Sequence, residues 1–334
     1  MRAHILSIFV CAFLLTTVQF AVGQVYPVRP VKIVAPFAAG GAADITSRLI
    51  ADRLTSILQQ KVVVENQQGG GGAAASQAVA QAAPDGYTLL YVTGATFVTA
   101  PIFARNTGYD PLRSFEPISL VSSVSSTIAV NSSFPARTLE ELTALIKAAP
   151  GRYRYATLGP GSHSFIVGEL FKSQTGLDIK EVPVKVPRRA LQAVAEGEAD
   201  FAFDVSVVVA VWAKEGRVRP LAVMGRGRSQ AFPDVPTTVE LGMRDLTAYV
   251  WSGLVAPART PPEIVAVLNR AMQSVLSEIE TQTTFNKYGM QAEGGTPDQF
   301  RSLIVAELTK WSRAVPLSAT VDKLVEASVL YREG

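Results

Sequence analysis

The chain is predicted to fold as two α/β lobes joined by two crossing strands. Three observations predict this. Short β-branched runs alternate with helical stretches at close spacing, the signature of doubly wound, mostly parallel sheets. Glycine turns follow several of those runs. The whole pattern then starts again near residue 128.

The first run, "PVKIVAP", has the density of a buried parallel strand. Ile45, Leu49, Ile50, Leu54, Ile57 and Leu58 follow at helical spacing. "KVVVEN" is a second strand. "QQGGGGAAASQAVAQAAPDG" is a glycine loop and an alanine-rich helix, stopped by Pro-Asp-Gly. "YTLLYVT" is a third strand, with a turn and a short apolar helix after it.

In the second half, "STIAVN" is a strand. "TLEELTALIKAA" is a helix, with Thr138 as N-cap and Glu141 completing a capping box. "YRYATL", the turn "GPGS" and the helix "SFIVGELFKSQTG" come next. "IKEVPV" is a strand, and "ALQAVAEGEADFAFDV" a helix running into another. "RPLAVMG" follows. "TAYVWSGLVAP" reads as the return crossing. Two amphipathic helices, "PPEIVAVLNRAMQSVLSEI" and "TPDQFRSLIVAELTKWSRAV", then pack back on the first lobe. The expected division is residues 24–128 with 251–334 for one lobe and 129–250 for the other.

Composition narrows the function. The 334 residues are 48% hydrophobic and 18% charged, enough for a sizeable core. The net charge is +3 and no long basic block appears, which disfavours nucleic acid. "MRAHILSIFVCAFLLTTVQFAVGQ" reads as a secretory signal peptide over residues 1–23, cleaved after Gly23 at its small-residue exit. Its removal takes away Cys11, the sole cysteine, and His4. His163 is then the one histidine left. A Cys/His metal site is excluded, no cofactor is expected, and a Ser-His-Asp triad would have to run through His163. Ser162 beside it is badly placed for that, because adjacent side chains diverge on a helix or strand. An exported, soluble, monomeric protein is expected.

The glycine turns suggest anion binding, since free N–H groups at a helix start attract carboxylate or phosphate. Gly40-Gly41 opens the first helix, with Asp44 in its first turn. No Lys-Ser/Thr follows, and there is no G-x-G-x-x-G, so a nucleotide is disfavoured. "VTGAT" and "LGPGSHS" offer comparable turns, with Thr93, Thr96, Ser162 and His163 as polar candidates. Lys185, Arg188 and Arg189 are candidate anion attractors or a solvated basic face. Asp204 ends a strand where a carboxylate can enter a cleft.

Together, "YPVRPVKIVAPFAAGGAADITSRLIADRL", "VVVENQQGGGG", "APDGYTLLYV", "GELFKSQTG", "FPDVPTTVELG", "WSGLVAPARTPPEIVAVLN" and "TPDQFRSLIVAELTKW" resemble the Bug family over residues 25 to 314. These are periplasmic solute receptors of tripartite tricarboxylate transporters. The resemblance implies a Venus-flytrap fold of the type with two crossing strands and no catalysis. It implies capture of a small, usually carboxylated solute between the lobes, and delivery to membrane permease subunits. Presentation to a membrane sensor kinase is the alternative. Phe37, Ala38, Ala39, Gly40, Gly41 and Asp44 match the family's first ligand loop. Thr93, Gly94, Ala95 and Thr96 match the loop after the third strand. Gly159, Gly161 and Ser162 match the second-lobe glycine-serine loop, with His163 beside it. Lys185 matches a family lysine, and Asp204 a family aspartate. The departures are Ala38 and Ala39 for prolines, Val184 for a tyrosine, Val186 for a glycine, Phe165 for a histidine and Val205 for an asparagine. They leave open a less polar or bulkier acid, or a non-carboxylate.

Overall fold

The computed structural model describes residues 26–103, 107–159, 162–184 and 189–314. The expected signal peptide, Gly161, Lys185, Val186 and Arg188 lie outside the described residues.

The first lobe opens with β1 (Val31–Ala35), α1 (Ala42–Leu58) and β2 (Val62–Asn66). A glycine turn leads into α2 (Ala73–Ala80), then β3 (Thr88–Thr93). A π-helical turn, Ala95–Thr99, runs on into the short α3 (Ala100–Phe103). β4 (Phe115–Asn131) then carries the chain into the second lobe. That lobe holds α4 (Leu139–Ala148), β5 (Arg154–Thr157), α5 (His163–Thr175), β6 (Lys180–Pro183) and α6 (Ala190–Ala195). β7 (Phe201–Val205), α7 (Ser206–Lys214) and β8 (Val218–Met224) complete it. The return is β9 (Tyr249–Pro257), followed by α8 (Pro262–Ser277), α9 (Ile279–Lys287), β10 (Gln291–Gly294) and α10 (Pro297–Ala314).

The expected elements form, with two differences. β4 is 17 residues long, whereas the sequence suggested only its last six. The serines of "SLVSSVSS" hide the strand from an apolar pattern. α7, α9 and β10 were not anticipated. α7 is apolar all round, so it shows no amphipathic period. The capping box at Thr138 forms with a shift: its hydroxyl accepts from the Glu141 N–H at 3.2 Å, while Glu141 reaches back to the Arg137 N–H at 2.6 Å.

All ten strands among the described residues join one sheet, in the order β2-β1-β3-β9-β4-β7-β5-β6, with β8 and β10 also on β4. Along residues 115–125, β4 pairs with β9, and β10 joins its opposite edge. From Ser126 onward it pairs with β7 and β8 instead. Ala248 marks the return: its N–H donates to Met224 and its carbonyl accepts from Ser126.

Alternate residues along the strands enter different cores, as a period of two requires. Ile33, Leu89 and Leu254 join a first-lobe cluster with α1 and α8. Ala129, Ala156 and Ala202 join a second-lobe cluster with α6 and α7. Val34, Leu90, Ile128, Tyr155 and Phe203 share one cluster that runs beneath both lobes. α10 lies on that face and packs on β4, the π-turn and α5. Its Phe300 meets Trp251 edge to face, centroids 5.6 Å apart.

Candidate functional site

Strand direction decides where the turns meet. β1, β2 and β3 are parallel, and β9 is antiparallel to both β3 and β4. The first-lobe strands therefore run in the same sense as β4, towards the second lobe. β5, β6 and β7 are mutually parallel and opposed to β4, so they run towards the first lobe. Both sets of carboxyl ends face the same stretch of β4. Thr93 registers with Ser252, which registers with Ser122; Val205 registers with Ser126. Four residues of strand, about 13 Å, separate the two levels. Ser122, Ser123, Val124, Ser125 and Ser126 form the floor between them.

On the first-lobe side, Asp44 builds the turn after β1. Its Oδ2 accepts from the Gly40 N–H at 2.8 Å. Its Oδ1 accepts from Asn66 at 2.9 Å and pairs with Arg48 Nε at 2.9 Å. Asn66 also donates to the Phe37 carbonyl at 3.1 Å. The carboxylate is buried, and the Arg48 guanidinium, then the Gly40 N–H, hold its pKa at about 2. Asp44 therefore secures the loop from within, and the Gly40 amide is already occupied. Ala38, Ala39, Gly40 and Gly41 are exposed and Phe37 is half-buried.

The other two turns of this lobe touch the first at Gly72. Its φ is +100°, a region that favours glycine. A Cβ there would lie 2.5 Å from Thr96 Cγ2 and 3.2 Å from Pro36 Cβ. Thr96 itself is fully buried. Its hydroxyl accepts from the Thr93 N–H and donates to the Thr93 carbonyl, both at 3.0 Å. The hydroxyl expected to face a ligand instead closes its own turn, while Ala95 is the exposed residue there.

On the second-lobe side, Ser162 caps α5. Its hydroxyl donates to the Gly159 carbonyl at 2.6 Å and accepts from the Phe165 N–H at 3.2 Å. His163 follows, with Nε2 2.7 Å from Ser126 Oγ on the floor. Burial, then the charge of Lys310, lowers its pKa from 6.5 to about 4. It is a neutral imidazole near neutral pH. Folding favours the neutral form, so this contribution is complete above pH 6.5 and lost as pH falls towards 4. Melting curves across that window should show wild type losing about 1–3 kcal/mol more than His163→Gln; parallel curves would refute the coupling.

Val184 and Phe165 point into the cores, so neither side chain lines the gap. Val184 reaches the turn only through its N–H, which donates to Thr157 at 2.7 Å. Asp204 registers with Thr127, and its Oδ1 accepts from the Val205 N–H at 2.8 Å. Burial raises its pKa, opposed in part by the Val205 N–H and then by Arg189. Beside it, Ser206 Oγ lies 2.8 Å from Thr127 Oγ1 and donates to the Ser125 carbonyl at 2.8 Å. Ser126, Ser206 and Trp251 belong to this region and were not singled out from the sequence. The one available signal was a serine run inside an otherwise apolar strand.

With the loop side chains committed, backbone amides are the main donors left. In the π-turn the Thr96 N–H donates to the Thr93 hydroxyl at 3.3 Å, whereas the starts of α1 and α7 have no side-chain cap hydrogen bond. Their first N–H groups lack intrahelical partners and carry partial positive charge. That arrangement suits an anion. No cluster of metal-ligating side chains occurs among the described residues. No described helix is long and apolar enough to cross a membrane. An open groove of about 1700 Å³ between α10, β10 and residues 225–247 reaches Ser123 and Ser125 of the floor but contains none of these turns.

Residues 46–317 match the TctC family, the tripartite tricarboxylate transporter family receptors. The chain is 32% identical to protein BugT of Bordetella pertussis over 87% of this chain and 89% of that one. R. palustris Rpa4515, solved with adipate, is 30% identical with a TM-score of 0.68, covering 88% of this chain and 98% of that one. MatC of Rhodopseudomonas palustris, solved with bound malate, is 31% identical with a TM-score of 0.65, covering 86% and 99%. These are solute-binding proteins rather than enzymes, and the chain belongs to the tripartite tricarboxylate transporter receptor family.

Proposed function

We propose that the protein captures a small organic acid between its lobes in the periplasm and delivers it to the permease subunits of a tripartite tricarboxylate transporter. The supporting observation is that the uncapped starts of α1 and α7, one from each lobe, lie at the strand ends that face the serine floor of β4. The lobes meet on β4 between Ser125 and Ser126 and again at Ala248–Tyr249. The solute's carboxylate lies against the amides that follow Gly41, Gly94 and Val205. Phe37, Ala39 and Ala95 bound it on one side, and Gly159, His163 and Asp204 on the other. Export follows cleavage after Gly23. The adipate and malate carried by the two relatives are the same class of molecule.

The test is a thermal-shift panel on the purified protein, with malate, adipate, succinate, benzoate and several amino acids. A bound acid at a hundred times its Kd stabilises by about 2.7 kcal/mol, a clear rise in melting temperature. No shift with any carboxylate would overturn the proposal.

A further inference from the structure

Trp251 lies on β9 at the level where β3 ends. It registers with Ser123, and its neighbour Ser252 registers with Thr93. Only 1% of its surface is exposed. Phe300 holds one side of the ring edge to face. The pyrrole edge lies against Gly94, where a Cβ would come within 3.1 Å of Nε1 and 3.5 Å of Cδ1. Gly94 starts the π-turn and provides no side-chain cap.

A buried indole N–H ordinarily finds an acceptor. Trp311, at similar depth, donates to Glu307 at 2.8 Å. The Trp251 N–H donates to no described residue. Yet no described side-chain nitrogen or oxygen is both sealed from solvent and unpartnered. The little of Trp251 that solvent reaches therefore includes this nitrogen, and it opens beside Gly94. An indole N–H donates and cannot accept, so its partner must be an acceptor.

We propose that the Trp251 indole N–H donates to a carboxylate oxygen of the bound solute, below the Gly94 turn. The assignment rests on the solute-binding reading given above. It places a rigid donor at the cleft floor, where the serine and threonine hydroxyls of the turns are already engaged. Gly94 keeps that donor uncovered. Its φ is negative, so an alanine there is free of backbone strain; its Cβ covers the nitrogen and presses on the ring, 3.1 Å from Nε1 and 3.3 Å from Cε2.

The experiment uses the full mature protein labelled with ¹⁵N at its three tryptophans, which give three indole signals assigned by Trp→Phe variants. Malate and adipate are the probes, with calorimetric Kd values for wild type, Trp251→Phe and Gly94→Ala. The expected result is a downfield shift of the Trp251 indole proton on binding, and a Kd raised about tenfold or more in both variants. Faster indole hydrogen exchange for Trp251 than for Trp311 is expected in the free protein. Exchange as slow as that of Trp311 overturns the assignment without reference to any ligand. Binding by wild type with an unmoved Trp251 signal and unchanged Kd in Gly94→Ala overturns it too, and leaves the solute-binding reading intact. Failure of wild type to bind either probe or any other acid of the panel overturns both.

Discussion

Gly253→Ala should destabilise the protein by roughly 3 kcal/mol, at the upper end for overpacking a core. Gly253 is in the middle of β9, registered to Val92 and Leu120. A Cβ there would lie 2.1 Å from Phe300 Cζ and 2.5 Å from its Cε1. Neither group can yield cheaply. The strand is hydrogen-bonded on both edges, and the Phe300 ring is fully buried against Trp251. The methyl group must push α10 away from the sheet, and α10 is the helix that packs on both lobes. Denaturant melts give the measurement. Adding Phe300→Leu should recover part of the loss, so the two substitutions couple in a double-mutant cycle. Additive effects, or an unchanged midpoint for Gly253→Ala, would refute the close contact.

Asp44→Ala should cost about 2–4 kcal/mol at neutral pH. It leaves the Gly40 N–H without its acceptor and releases Arg48 and Asn66 together. The loss should fade with acid. The folded pKa of about 2 lies below the ordinary 3.8, so the carboxylate's contribution is complete above pH 4 and disappears as pH falls towards 2. Urea melts of wild type and variant at neutral pH, pH 4 and pH 2.5 should therefore converge. A constant gap would mean that the carboxylate's charge is irrelevant to the loop. Solute affinity should fall as well, because the exposed backbone from Ala38 to Gly41 loses the anchor that shapes it.

The lobes and their turns were legible because glycine and β-branched residues leave local marks. Gly40, Gly72 and Gly159 all take positive φ, a demand that shows in sequence as glycine in the turn between a strand and a helix. What the polar side chains do was less legible. Asp44 looks free in sequence, and only the return of β2 brings Asn66 to it. Thr96 looks like a ligand hydroxyl, but its partner is the backbone three residues earlier. Trp251 reads as one more core aromatic, since the missing partner of its N–H is a fact of three-dimensional packing. β4 was truncated at its amino-terminal side for a related reason: serine is common in turns, and here it lines a strand.

That serine stretch bears on how the molecule can bend. Considered as a beam, β4 is stiff at both ends and slender in its middle. Ile118 and Val121 on one side, with Ile128 and Val130 on the other, are fully buried and interlocked with their cores. Between them only Val124 and Thr127 are larger than a hydroxymethyl group, and Val124 is half-buried. Flexing the strand there moves little packed volume, so the compliance of the joint is written in side-chain size, without a loop or a break in the backbone ladder.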